Sequence, residues 1–315
     1  MADRSAFGAD TTADEVLEGI DLTGKRVLIT GGTSGLGRES ARAMAAHGAD
    51  VTITGRSQEK AAAIAAELKA ETGREVAAEA LELGSFKSIR SFADRIRATG
   101  AEFDIVINNA GVMACPEDKT EDGFEMQFGS NHLGHFLMTA LIAPQIRSGG
   151  RVVALSSSGH QMSPVLFDDI QFETSPYEKW TSYGQSKTAN ALFAVGLNAR
   201  LKDRGIEAFA VHPGAIMTEL ARHMDEADIE RFTAMIDSGA LPMKAIPQGA
   251  ATQVYAATAP ELTGHGGAYL ADVKIAPVDE EAEDMTVVRP YAIDPAAADR
   301  LWAVSEEMVG ETLAR

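Results

Sequence analysis

The chain has 315 residues, of which 45% are apolar, and a formal net charge of −18. That length allows one large domain or two small ones, and the apolar share is that of a globular protein with a full core. The acidic balance argues against nucleic acid or an anionic membrane surface as partner, because both reward positive patches. Residues 1–24 read as an N-terminal extension, with Thr12 and Glu15 at capping-box spacing for a short helix. From there β-rich runs at 26–30, 51–54, 76–81, 104–108, 151–155, 206–211 and 267–270 alternate with helical patterns at 37–47, 58–72, 85–99, 124–147, 182–204, 219–238 and 248–257. This rhythm predicts an α/β fold: a single-domain, doubly wound parallel sheet of about seven strands with helices on both faces. No linker or repeat interrupts it, so residues 25–315 read as one domain. Within that domain, 159–180 is an insertion, 215–247 a lid and 276–315 a C-terminal tail whose stretch 276–292 is a surface loop. The acidic run Asp279–Asp284 reads as solvated charge.

The first strand runs into Gly31-Gly32-Thr33-Ser34-Gly35-Leu36-Gly37, and a helix follows at once. Glycines suit a turn whose backbone N–H groups must approach phosphate oxygens, and the helix N-terminus adds partial positive charge. The spacing Gly-x-x-x-Gly-x-Gly differs from Gly-x-Gly-x-x-Gly, and no P-loop Gly-Lys-Ser/Thr is present. At the end of the second strand an acid would suit the ribose of NAD, and an arginine the 2′-phosphate of NADP. The chain reads Thr54-Gly55-Arg56-Ser57, so NADP(H) is expected ahead of NAD(H), with Ser57 offering a hydroxyl. Ser34 brings no second basic group. Glu82, followed by Leu83, can accept from an adenine amino group; Asn108-Asn109-Ala110-Gly111 allows a tight turn beside the cofactor.

Tyr183 and Lys187 stand four apart on a helical pattern and share a face. A free phenol titrates near ~10 and is a poor base at neutral pH. One positive charge at ~4 Å, at an effective dielectric near 20, is worth about 4 kcal/mol, or about three pKa units. Lys187 and an oxidised nicotinamide are therefore expected to bring Tyr183 towards working pH. Ser156-Ser157-Ser158 ends the fifth strand, at the sheet edge where such folds bind ligands. Asn131 sits mid-helix, where asparagine is a mediocre former, and a side chain bonded to water or backbone would explain it. Pro213-Gly214 follows the sixth strand, with Ile216 and Thr218 placed to close over a nicotinamide. His132, His135, His160 and His212 read as packing or structural residues, and Asp168-Asp169 as a turn. Gly-x-Ser-x-Gly is absent, which argues against a hydrolase.

In order, Thr30-Gly31-x-x-x-Gly35-x-Gly37, Asn108-Asn109-Ala110-Gly111, the serine followed by Tyr183-x-x-x-Lys187, and Pro213-Gly214 resemble the short-chain dehydrogenase/reductase family over residues 22–276. The lead-in Leu17-Glu18-Gly19-Ile20-Asp21-Leu22-x-Gly24-Lys25, the insertion, and Tyr183-Gly184-Gln185-Ser186-Lys187-x-Ala189-Asn190 are similar to its retinol-dehydrogenase-like and WW-domain-oxidoreductase-like branch. The resemblance implies a catalytic tetrad of Asn131, Ser157, Tyr183 and Lys187, with Ser158 as the fallback serine. It implies cofactor contacts from Gly31, Thr33, Ser34, Gly35, Leu36, Gly37, Arg56, Ser57, Glu82, Leu83, Asn109, Ala110, Gly111, Tyr183, Lys187, Pro213, Gly214, Ile216 and Thr218. Glu82 stands where the family more often has Asp, and Thr33 where the branch more often has Asn.

The resulting expectation is an oxidoreductase moving a hydride between NADP(H) and a carbonyl or alcohol carbon of a small, hydrophobic substrate, with Tyr183 as acid/base. The alternative is a cofactor-binding regulatory or interaction protein with little turnover. Homo-oligomers are common in the family. One cysteine, Cys115, excludes an intramolecular disulfide, and seven histidines without HExxH spacing offer no metal motif. Residues 1–10 carry no apolar signal core and no apolar run approaches ~18 residues, so a cytoplasmic protein without a membrane segment is expected.

Overall fold

The computed structural model describes residues 6–314; residues 1–5 of the N-terminal extension and residue 315 lie outside the described residues. The strands are β1 (Arg26–Ile29), β2 (Asp50–Gly55), β3 (Val76–Ala80), β4 (Phe103–Asn108), β5 (Ile146–Leu155), β6 (Glu207–His212), β7 (Tyr269–Ala271) and β8 (Lys274–Ile275). Among the described residues they form one eight-stranded sheet in the order β3-β2-β1-β4-β5-β6-β7-β8. Every pairing is parallel except β7 with β8, a two-residue edge strand absent from the sequence-based assignment.

The helices are α1 (Ala13–Leu17), α2 (Gly35–Ala46), α3 (Gln58–Thr72), α4 (Phe86–Thr99), α5 (Met126–Phe128), α6 (Gly134–Ile142), α7 (Lys179–Leu201), α8 (Glu226–Asp237), α9 (Ile246–Thr258) and α10 (Pro295–Val309). One apolar core joins α4, α6, α7 and α10 to one face of the sheet; the other joins α1, α2, α3 and α9 to the opposite face. Burial on both faces explains why the central strands are runs of Val, Ile, Leu, Ala and Phe without alternation. Outside α7, Trp302 of α10 stacks on Phe193 with centroids 5.9 Å apart and planes 4° from parallel.

The expected capping box is present: Thr12 Oγ1 accepts from the Glu15 N–H and the Glu15 carboxylate accepts from the Thr12 N–H at 2.7 Å. Two long helices expected from the sequence are broken. The pattern at 124–147 divides into α5, a π-turn over Gly129–Leu133, and α6; Pro144 then sits in a 3-10 turn, Ala143–Gln145, that passes directly into β5. The pattern at 219–238 divides into a 3-10 turn, Glu219–His223, and α8, because the Asp225 side chain caps the Asp228 N–H at 2.9 Å. Both breaks fall beside the cleft described next.

Candidate active site

The sheet order reverses direction between β1 and β4, and a crevice opens there at the C-terminal strand ends, where folds of this kind bind ligands. The cleft measures ≈ 740 Å³. Its walls include Gly31, Thr33, Ser34, Gly35, Leu36, Arg56, Ser57, Glu82, Leu83, Asn109, Ala110, Gly111 and Thr218 from the expected cofactor set. Gly31 has φ 65°, and a Cβ there would stand 2.9 Å from Ala110 Cβ. A Cβ on Gly37 would meet the Gly31 carbonyl and lie 2.5 Å from Asn109 Nδ2, so Gly37 shapes the cradle from behind. Ser34 is the N-cap residue of α2, yet its side chain makes no capping bond, which leaves the first N–H groups of a twelve-residue helix facing the cleft. The cradle thus suits the diphosphate of a dinucleotide.

Thr30 ties this turn to the next. Its hydroxyl accepts from the Asn109 and Ala110 N–H groups at 2.9 and 3.0 Å and bonds His135 Nε2 at 2.8 Å. His135 Nδ1 in turn bonds the Asn131 carbonyl at 2.9 Å. The Asn131 side chain pairs with both backbone groups of Val112, accepting at 2.8 Å and donating at 2.9 Å, and donates to Ser186 Oγ at 3.0 Å. A mid-helix asparagine is accommodated because the helix there is a π-turn, a device frequent at functional sites.

Arg56 and Lys60, neither in an ion pair among the described residues, line the far end of the cleft. Ser57 is turned to the helix instead, its hydroxyl capping the Lys60 N–H at 3.3 Å. The Glu82 carboxylate accepts from the Gly84 N–H at 3.1 Å while lining the cleft. Arg222, in the broken stretch before α8, also lines the cleft, and with Arg56 its charge adds to burial in pushing His223 below its ordinary pKa. Sequence reasoning missed Lys60 and Arg222; Lys60 lies one helical turn beyond Arg56, whereas nothing in the local pattern singles out Arg222. Pro213, Gly214 and Ile216 do not line the cleft. Gly214 lies under the Lys244 stem, and Ile216 lies close to Gly249.

Tyr183, Lys187, Ser157 and Asn131 do not line the cleft itself; Asn131 and Lys187 stand behind its wall residue Gly111, and Ser157 with Tyr183 stands beside Gly159. Ser156 is withdrawn from chemistry, since its hydroxyl donates to the Lys187 carbonyl at 2.8 Å. Ser157 Oγ accepts from the Gly159 N–H at 3.0 Å, and it is the serine that lies beside the Tyr183 ring and favours its phenolate. The Ser158 N–H donates to His212 Nδ1 at 3.0 Å, which makes His212 a structural strand-end residue. Lys187 Nζ donates to the Leu155 carbonyl at 3.1 Å and lies 5.6 Å from the centre of the Tyr183 ring.

Burial dominates the electrostatics of the pair. Burial pushes the Tyr183 phenol up to about 12, opposed by Ser157, and pushes the Lys187 ammonium down to about 8. Removal from water disfavours both charged forms.

A second, apolar wall surrounds Tyr183. Ala114 and Trp180 are buried against it, with Met113, Met224 and Phe232 packed alongside. The Trp180 ring meets Tyr183 edge-on at 6.2 Å and stacks on Phe232 of α8 at 5.4 Å. Trp180 Nε1 donates to Asp228 at 2.8 Å, and Lys179 pairs with Asp225 and Asp228 at 2.5 and 2.6 Å, so α8 is latched onto the start of α7. Asp169 accepts from Glu173 N at 2.7 Å and Ser175 Oγ at 2.6 Å, the turn role expected of it.

The short chain dehydrogenase profile matches residues 25–229. Human retinol dehydrogenase 13 is 39% identical over 92% of this chain and 86% of its own length. An oxidoreductase of Streptomyces lividans is 43% identical over 90% of this chain and 97% of its own. Among solved structures, a short chain dehydrogenase from Burkholderia cenocepacia in complex with NADP superposes with a TM-score of 0.63 at 28% identity, covering 79% of this chain and 96% of that one. Among the described residues, no helix is long and apolar enough to cross a membrane.

Proposed function

The chain belongs to the short-chain dehydrogenase/reductase family, in its retinol-dehydrogenase-like branch, and we propose that it reduces or forms a carbonyl on a small apolar substrate with NADP(H), using Tyr183 as the proton donor and acceptor. The observation that carries this reading is the meeting of a buried phenol, its Ser157 partner and the Lys187 ammonium beside a glycine-lined cleft. The cradle from Gly31 to Gly37 would hold the diphosphate through backbone N–H groups, and Arg56 would take the 2′-phosphate. A bound NADP(H) supplies or removes the hydride at the carbon. Ser157 orients the substrate oxygen. Tyr183 delivers a proton to that oxygen in reduction, and a phenol held near about 12 keeps that proton throughout the physiological range. Lys187 would bond the nicotinamide ribose, and Asn131 holds the Val112 turn. Together with the bound oxidised cofactor's positive ring, Lys187 favours phenolate in the alcohol-oxidising direction. Met113, Ala114, Trp180, Met224 and Phe232 offer an apolar wall that suits a hydrophobic substrate.

Tyr183→Phe is expected to lower turnover by about a hundredfold to ten-thousandfold while leaving NADPH affinity unchanged. A panel of aldehydes and ketones monitored by NADPH fluorescence reads both. Turnover near wild type in the variant would remove Tyr183 from the chemistry. NADPH oxidation that no carbonyl accelerates would favour a binding protein over an enzyme, and equal affinity for NADPH and NADH would remove the role given to Arg56.

A further inference from the structure

The Ser157 backbone is gripped by residues other than Tyr183. Its carbonyl accepts three hydrogen bonds, from the His160 backbone N–H at 3.0 Å, from His160 Nδ1 at 2.7 Å and from the Tyr269 hydroxyl at 3.0 Å. The tautomer of His160 follows from its other nitrogen: Nε2 accepts the Arg289 backbone N–H at 3.1 Å, so the ring proton is on Nδ1 and points at Ser157. The His160 carbonyl accepts the Tyr291 hydroxyl at 2.8 Å and the Thr188 hydroxyl at 3.1 Å. Next to it, Gln161 donates to the carbonyls of Asp284 and Val287 at 2.9 and 3.0 Å. The side chain of Arg289 returns to Gln161 Oε1 at 3.4 Å. His160 is wholly buried, and none of these partners lines the cofactor cleft.

The stretch 276–292, expected to be a surface loop, therefore has two parts. Its acidic run is exposed, but Val287 and Val288 are buried and residues 284–291 close over His160 and Gln161. Ser157 lies two residues past the end of β5, and neither that strand nor the helix that carries Tyr183 supplies the grip on the serine carbonyl. It comes from His160 and β7, backed by chain more than a hundred residues further on.

We propose that His160 is the positioning residue of Ser157: through its Nδ1–H it holds the serine backbone so that the hydroxyl stays on Tyr183, and through Nε2 it makes that placement depend on the seating of residues 284–291. This rests on the reading of Ser157 and Tyr183 as the reacting pair. Removing the imidazole leaves the serine carbonyl with the His160 N–H and the Tyr269 hydroxyl, without the shortest of its three bonds, and leaves the Arg289 N–H without its acceptor. The cofactor cradle keeps all of its own contacts.

The test compares wild type with His160→Ala and His160→Asn, the latter restoring an amide donor near the Nδ1 position. Turnover is measured with NADPH and benzaldehyde or nonanal, NADPH affinity by fluorescence, and folding by circular dichroism. His160→Ala is expected to lower kcat by about a hundredfold, the cost of a small misplacement at a reacting centre, with NADPH affinity unchanged and most of the rate regained in His160→Asn. Wild-type kcat in the alanine variant overturns the proposal, as does an NADPH affinity that falls in step with kcat. Because His160→Asn keeps a polar side chain of smaller size, it carries the comparison if the alanine variant fails to fold; an asparagine variant no better than a hundredfold impaired then overturns the donor role. If wild type reduces no carbonyl, the functional reading fails separately and the positioning is read from amide exchange at Gly159, whose N–H bonds Ser157 Oγ. That amide is expected to exchange faster in His160→Ala, and an unchanged rate overturns the proposal.

Discussion

Gly159 offers a way to disturb Tyr183 without removing any polar group. A Cβ added there would lie 2.6 Å from Tyr183 Cε1, 2.9 Å from Cδ1 and 3.4 Å from Ser157 Oγ. Carbon atoms settle at about 3.5–4.0 Å, so the ring must retreat by about 1 Å. Its retreat is opposed by Trp180, edge-on at 6.2 Å, and by Ala114, which is already held in the left-handed region at φ 52°. Overpacking of this kind costs about 1–3 kcal/mol of stability. A displacement of that size at the reacting group costs about a hundredfold in rate, equivalent to about 2.7 kcal/mol of barrier. Gly159→Ala is therefore expected to stay folded with a lowered Tm, bind NADPH as wild type does, and reduce carbonyls about a hundredfold more slowly. Gly8→Ala, at a site with nothing within 4 Å of the new methyl, is the control. Turnover, cofactor fluorescence and thermal unfolding read the three quantities. Wild-type turnover in Gly159→Ala would refute the claim that the phenol must stand where the structure holds it.

Two further outcomes are expected. His132, His135, His160 and His212 are buried, and burial holds them at about 3, 4, 4 and 3, below their ordinary 6.5. The unfolded chain thus binds more protons than the folded one between about pH 4 and 6.5, so stability is complete above that window and is lost as pH falls through it, by up to about 1.4 kcal/mol per histidine per pH unit. Against a typical total of about 5–15 kcal/mol, cooperative unfolding within this range is expected. A Tm unchanged from about pH 7 to 5 would contradict it. Phe232→Ala removes the ring stacked on Trp180 and is expected to loosen α8 by about 1 kcal/mol and to raise KM for apolar carbonyl substrates more than for polar ones. A KM insensitive to substrate polarity would separate α8 from substrate binding.

Much of the sheet could be read in advance because each inner strand is covered on both faces, so its apolar run is bounded by the turns that connect it. The glycine turn, Arg56, Tyr183 and Lys187 were legible for a related reason: local spacing places them on one turn or one helix face. The π-turn at Asn131 was hidden, since the apolar pattern runs on through it and only the odd asparagine hinted at a bond to Val112. The strand β5 was foreseen from its Val-rich end, whereas its start after Pro144 depends on pairing between Ile146 and Phe103 across the sheet. The brace on Ser157 was not legible, because its parts come from residues 157–161, 269 and 284–291, which no window unites. The burial of the site was not legible for a physical reason: spacing reports which charges are neighbours, but not how completely water has been excluded from them.

The contact between His160 and Arg289 also bears on how the protein is made. Synthesis runs from the N-terminus, and domains fold as their parts emerge. The strands β1 to β6 and the glycine turn exist before residue 284 has been joined to the chain, so a nascent polypeptide can assemble its nucleotide cradle early. His160, which braces the Ser157 carbonyl, gains its Arg289 and Tyr291 partners only when residues 289–291 arrive. Until then α7 also lacks the cover of Trp302, and Phe193 stands open to other chains on the ribosome. A ribosome that stalls late would release a product with a formed cradle, a His160 not yet seated and a sticky helix, a natural client for chaperones.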